Sequence, residues 1–257
     1  MKRATLDFGS KQGVCQPLRI EAEPRAASSQ AAPLASLGHT AALVGVMLAV
    51  AIAGTVLQHA GAPVASPSAP TSPAVSRIWS QYLPLLLVNG LLLLYVARLF
   101  RPHNALPELL GRTWRRPADA LTDLLAAALA FTLIVALEAL MRPWFTGRNA
   151  AVSALLPSTE AERLTWMLVA SSIGFCEEVV YRGYLQIQLG AFTRSPAWGL
   201  VLQALLFGLA HLEQGPGAAL RIGAYGLILG VLARQRSSLM PGILCHMAID
   251  LASGLLR

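Results

Sequence analysis

Apolar stretches of about 17 to 24 residues recur along this chain, each long enough for a helix to cross a bilayer core of about 30 Å. The candidates lie near residues 40–58, 79–99, 119–140, 164–187, 196–212, 217–233 and 239–256. In hydrocarbon a segment must satisfy its own backbone hydrogen bonds, which leaves helices or a closed barrel. The alternating strand pattern of an outer-membrane barrel is missing, so helices are expected. Charge points to the same solvent. Only 13% of the 257 residues are charged, against about 25% in a soluble domain, and mean hydropathy is +0.56. The expected fold is an all-α polytopic membrane protein, a bundle of about seven to eight transmembrane helices.

Three parts are expected along the chain: residues 1–38, 39–159 and 160–257. The first is polar, with Pro, Ser, Ala and scattered charge, and reads as a flexible cytoplasmic tail. The first apolar run begins only near residue 40, so a cleavable signal is not expected. Residues 61–76, GAPVASPSAPTSPAVS, read as an extended loop. Pro84, Pro196 and Pro241 lie near expected helix starts, where a missing N–H does little harm. Cys15, Cys176 and Cys245 show no paired spacing and read as small thiols, not a disulfide framework.

The net charge of +7 is better read by position than as a sign of nucleic-acid binding, which is not expected. With the N-terminus inside, the basic residues of the tail and of the stretch from Arg98 to Arg116 share one side. Arg182, Arg194, Arg234 and Arg236 join them and outnumber the basic residues opposite. That bias favours a cytoplasmic N-terminus.

Against this apolar background, Glu177 and Glu178 interrupt the run LTWMLVASSIGFCEEVVYRGYLQI. Adjacent carboxylates at bilayer depth cost several kcal/mol, so they need partners and a role. Glu178 and Arg182 are four apart and can meet on one helix face. A single arginine does not compensate two buried acids, which leaves Glu177 free for chemistry. Phe207 and His211 are also four apart, as are His246 and Asp250. Each pair taken alone could be ordinary packing or an intrahelical hydrogen bond. Together they can surround a small wet cavity among the C-terminal helices, holding a water, a base and donors for an oxyanion. Gly242 and Gly254 flank the last pair and suggest close helix packing.

These residues carry a resemblance. EEVVYR (Glu177 to Arg182), FGLAH (Phe207 to His211) and HMAID (His246 to Asp250) resemble the EExxxR, FxxxH and Hxxx(N/D) motifs of the CAAX-processing and bacteriocin-processing intramembrane endopeptidases. This group, formerly the ABI family, includes the type II CAAX prenyl proteases. The resemblance covers about residues 160 to 256. It implies a glutamate-dependent hydrolase in which Glu177 is the general base and holds a water jointly with His211. His246 and Asp250 would stabilise the oxyanion, while Glu178, Arg182 and Phe207 support the site. Asparagine is common in the family where this chain has Asp250. An ionised carboxylate would repel an oxyanion, so Asp250 is expected to accept from His246 and fix its tautomer, or else to be protonated.

No cofactor is expected. Glu177, the two histidines and Asp250 could satisfy zinc, but HExxH is absent and the resemblance favours a metal-free mechanism. The expected partners are membrane lipid and a peptide or lipidated protein substrate, including prenylated CAAX-type proteins or bacteriocin-like peptides. The expected place is a bacterial cytoplasmic membrane. Two other classes stay open. A non-catalytic immunity or peptide-binding protein would be free to lose Glu177 or His211, yet both are present. An ion-coupled transporter would be supported by broken helices in two matching halves, and no internal repeat is seen.

Overall fold

The computed structural model describes residues 32–59, 77–99, 105–144 and 150–256. The expected loop at 61–76, Cys15 and most of the expected tail lie outside them. The elements are α1 (Leu37–His59), α2 (Ile78–Leu99), α3 (Ala105–Leu110), α4 (Pro117–Met141), α5 (Ala150–Leu155), α6 (Glu160–Phe192), α7 (Pro196–Leu209), α8 (Pro216–Arg236) and α9 (Met240–Leu255). Among the described residues no strand forms, only an isolated bridge between Gly111 and Ser238. The fold is all-helical, as the apolar periodicity requires.

Five helices, α1, α2, α4, α6 and α8, are long and apolar enough to cross a membrane, while α7 and α9 are shorter apolar helices. The protein is an integral membrane protein. Lipid exposure separates the helices. Only 17% of the apolar window of α4 is buried, and Leu121, Leu124, Leu125 and Leu129 of that helix point outward. In α6 the figure is 56%, which makes it the central helix. The six-residue α5 occupies the segment before α6 and is too short to cross anything.

Local chemistry sets the helix ends. Thr159 caps α6 in a reciprocal box: its side chain accepts from the Glu162 N–H, while Glu162 Oε2 accepts from the Thr159 N–H at 3.1 Å. Pro117, Pro196 and Pro216 open α4, α7 and α8, where the missing N–H is harmless. Pro84 differs, because it lies inside α2, two residues past the end of a π-helical turn at Ile78–Tyr82. A proline there withholds a donor and crowds the carbonyl one turn back, which suits a widened turn.

Small residues allow close packing. A side chain at Gly208 would strike the Ala219 carbonyl, so α7 and α8 approach backbone to backbone. Helix α9 lies against α6 and α4. Cys176 and Cys245 are buried free thiols, in keeping with their apolar settings. Away from the centre, Asp123 of α4 holds Arg236 of α8 at 2.8 Å and accepts from the Trp114 indole. Gln188 of α6 accepts from the Leu34 and Ala35 N–H groups, fastening the segment before α1.

Candidate active site

Helix α6 changes character where its acids begin. Glu160–Glu177 is α-helical, Glu178–Leu185 is π-helical, and Gln186–Phe192 returns to α. A plain α-helix was expected through this stretch. Single π turns inside α-helices are frequent at functional sites, because the wider turn re-aims side chains. Every residue of the π segment is buried, so no polar face marks it in the sequence.

Glu178 and Arg182 are fully buried, with Arg182 Nη1 2.9 Å from Glu178 Oε1. The guanidinium also stands over the Phe207 ring, 4.2 Å from its centroid. The same Glu178 oxygen is 2.9 Å from His246 Nδ1. A carboxylate can only accept, so the imidazole donates its Nδ1–H there. Gly242 makes room for this carboxylate: a side chain at that position would come within 2.8 Å of Glu178 Oε2.

With Nδ1 committed, the other imidazole nitrogen of His246 faces the remaining acids. Nε2 is 3.6 Å from Glu177 Oε2 and 3.7 Å from Asp250 Oδ2. These are charge contacts, too long for hydrogen bonds. The expectation that Asp250 fixes the His246 tautomer is therefore corrected: Glu178, reaching across from α6, takes that place. One turn along α9 the aspartate points instead into the cavity.

His211 lies beyond the end of α7, not within it. Leu209 ends the helix and His211 starts the 3-10 turn Leu212–Gln214. The four-residue spacing still acts, since His211 Nδ1 bonds the Phe207 carbonyl at 2.8 Å. The carbonyl accepts, so His211 carries its proton on Nδ1 and presents the Nε2 lone pair. Phe207 meets the His211 and His246 rings edge-on, at 4.9 and 5.8 Å between centroids.

All four residues expected to do chemistry line one cavity of about 520 Å³: Glu177, His211, His246 and Asp250. Phe207 lines it as well, while Glu178 and Arg182 stand behind it. Sequence reasoning missed other polar or aromatic wall residues, among them Tyr181, Glu213 and Asn89. Tyr181 packs edge-on against Phe207 at 4.8 Å. Asn89 is signalled in the sequence as the one amide in a leucine-rich run. The rest of the wall is largely apolar, from α1, α2 and α5.

Among the described residues no three His, Cys, Asp or Glu side chains are arranged to hold an ion.

Residues 159–252 match the family described as Type II CAAX prenyl endopeptidase Rce1-like. No curated protein and no solved structure matches the chain. The matched segment begins at the Thr159 cap and contains all three motifs, with Glu177, Glu178, Arg182, Phe207, His211, His246 and Asp250. Over residues 159–252 the protein is thus similar to the Rce1-like type II CAAX prenyl endopeptidases.

Proposed function

We propose that this protein is an intramembrane endopeptidase that hydrolyses a peptide bond with a water activated by Glu177. The observation that carries the reading is the meeting of Glu177, His211 and His246 in one cavity, with each imidazole's Nδ1 already engaged. His211, protonated at Nδ1, has only an acceptor left. Glu177 is an acceptor too, so the two can take the two protons of a single water and leave its oxygen lone pair free to attack.

The steps balance on these groups. The water oxygen bonds to the scissile carbonyl carbon as one O–H proton passes to Glu177. The carbonyl oxygen becomes an oxyanion, which takes a hydrogen bond from His246 Nε2–H. Because Nδ1–H is donated to Glu178, that second donor exists when the ring carries both protons, with Glu177, Glu178 and Asp250 beside it as countercharges. Collapse of the intermediate breaks the C–N bond, and Glu177 returns its proton to the leaving amine. Asp250 acts as a countercharge to His246, and Arg182 as a countercharge to Glu178.

The substrate is a peptide or lipidated protein. The apolar stripes of α1 and α2 that continue the cavity suit a hydrocarbon group beside the peptide. The proposed setting is a bacterial cytoplasmic membrane with the N-terminus inside. Hydrolysis of a fluorogenic farnesylated peptide library by purified protein in detergent tests the reading. Glu177→Gln and His211→Ala are expected to abolish cleavage, and a chelator to leave the wild type unaffected. Loss with chelator, restored by zinc, would replace the glutamate mechanism with a metal-dependent one. A folded wild type that binds peptides without cleaving any would point to a non-catalytic binder.

A further inference from the structure

The part of the cavity wall formed by α1 and α2 holds one polar side chain whose oxygen no described group bonds. Helix α2 contributes Leu85, Val88, Asn89 and Leu92 to the cavity, a stripe with helical spacing. Helix α1 contributes Val46, Met47, Val50, Ala51 and Gly54 alongside. Asn89 is the single polar side chain among these nine. It is only 7% exposed.

The orientation of its amide is fixed. Asn89 Nδ2 donates to the Leu85 carbonyl at 3.1 Å, and a carbonyl cannot accept from Oδ1. The Oδ1 atom is therefore the one directed away from the helix backbone, and no described group bonds it. A polar atom at membrane depth in an apolar wall is costly unless something pairs with it. The bland role of a membrane asparagine, bonding the carbonyl one turn back, uses the nitrogen and leaves this oxygen over.

We infer that Asn89 Oδ1 is a substrate-positioning acceptor, which receives a backbone N–H of the bound peptide and sets its register over Glu177. The inference rests on the hydrolase reading and adds a recognition contact outside the three motifs. A peptide entering an apolar cavity must re-pair the N–H groups it loses from water. On the α1 and α2 side, Asn89 offers it an acceptor.

The test uses full-length protein in detergent and a farnesylated fluorogenic peptide. A matching series replaces each backbone amide around the scissile bond, in turn, by an ester, which lacks the N–H. Wild type is expected to cleave one member about tenfold less efficiently than the parent, the size of one hydrogen bond of about 1.4 kcal/mol. Asn89→Leu is expected to cleave the parent about tenfold less efficiently, mainly through KM, and to be indifferent to that same ester. Wild-type efficiency in Asn89→Leu overturns the inference. So does an unchanged ester profile on a uniformly slower Asn89→Leu, which would mark a structural role only. Wild type that neither cleaves nor binds the parent overturns the hydrolase reading and this inference together.

Discussion

His246 and Glu178 come from segments 68 residues apart and meet through Nδ1 and Oε1 at 2.9 Å, both buried. The same oxygen serves Arg182 at 2.9 Å. One carboxylate thus sets the imidazole's orientation and neutralises the cation. Removing one partner of such a cluster leaves an uncompensated charge, which costs about 3–5 kcal/mol. Arg182→Met should lower unfolding stability in detergent by that order. Pairing it with Glu178→Gln should recover much of the loss, because Gln still accepts from His246 and carries no charge. A double variant no more stable than Arg182→Met would show that the charge balance is not what matters.

Glu177 should behave in the opposite way. It lines the cavity, its side chain is 14% exposed, and its contact with His246 is a charge contact at 3.6 Å. Glu177→Gln keeps the shape and removes the proposed base. Hydrolysis should fall by about 100- to 10,000-fold, the usual worth of a positioned base, while the unfolding midpoint stays unlowered. A Glu177→Gln protein with near wild-type turnover would move the base elsewhere.

Phe207 connects the site's parts through its ring: Arg182 over the face, Tyr181, His211 and His246 edge-on. Phe207→Leu retains most of the apolar bulk and loses these ring contacts. A cation–π contact and edge contacts are each worth about 0.5–2 kcal/mol, so stability should drop by about 1–3 kcal/mol. Turnover should fall too, since both histidines lose a wall. Reduced stability at unchanged turnover would confine Phe207 to packing.

Composition made the helices readable. Segments expected at 40–58 and 79–99 are found as Leu37–His59 and Ile78–Leu99, because each apolar run is bounded by polar or turn-forming residues. The end of α7 was less legible: apolar character runs to Leu212, but the backbone turns after Leu209 to reach Gly215, whose φ is +95°. The π segment had no signature, since it is buried on every side and loses the periodicity that reports a helix face. Spacing revealed pairs one turn apart, such as Glu178 with Arg182. It could not reveal Glu178 with His246, a contact made only when α9 packs on α6. For the same reason Asp250 looked like the partner of His246 in the sequence and is not its hydrogen-bond partner in the fold.

That packing of α9 on α6 depends on Gly254. A side chain there would collide with the Trp166 indole, whose Nε1–H donates to the Asp250 carbonyl at 3.0 Å. Gly254→Ala must push the indole aside and break this bond. Overpacking costs about 1–3 kcal/mol. Trp166→Phe loses the hydrogen bond and part of the ring but needs no displacement, and the smaller ring leaves space for a methyl group. The double variant should therefore cost less than the two single changes added together, because the clash is removed with the indole. Asp250 sits between this contact and His246, so Gly254→Ala should also reduce turnover more than Trp166→Phe does. Unfolding and peptide cleavage measured on the three variants check both statements, and strict additivity in stability would mean that Gly254 and Trp166 act independently.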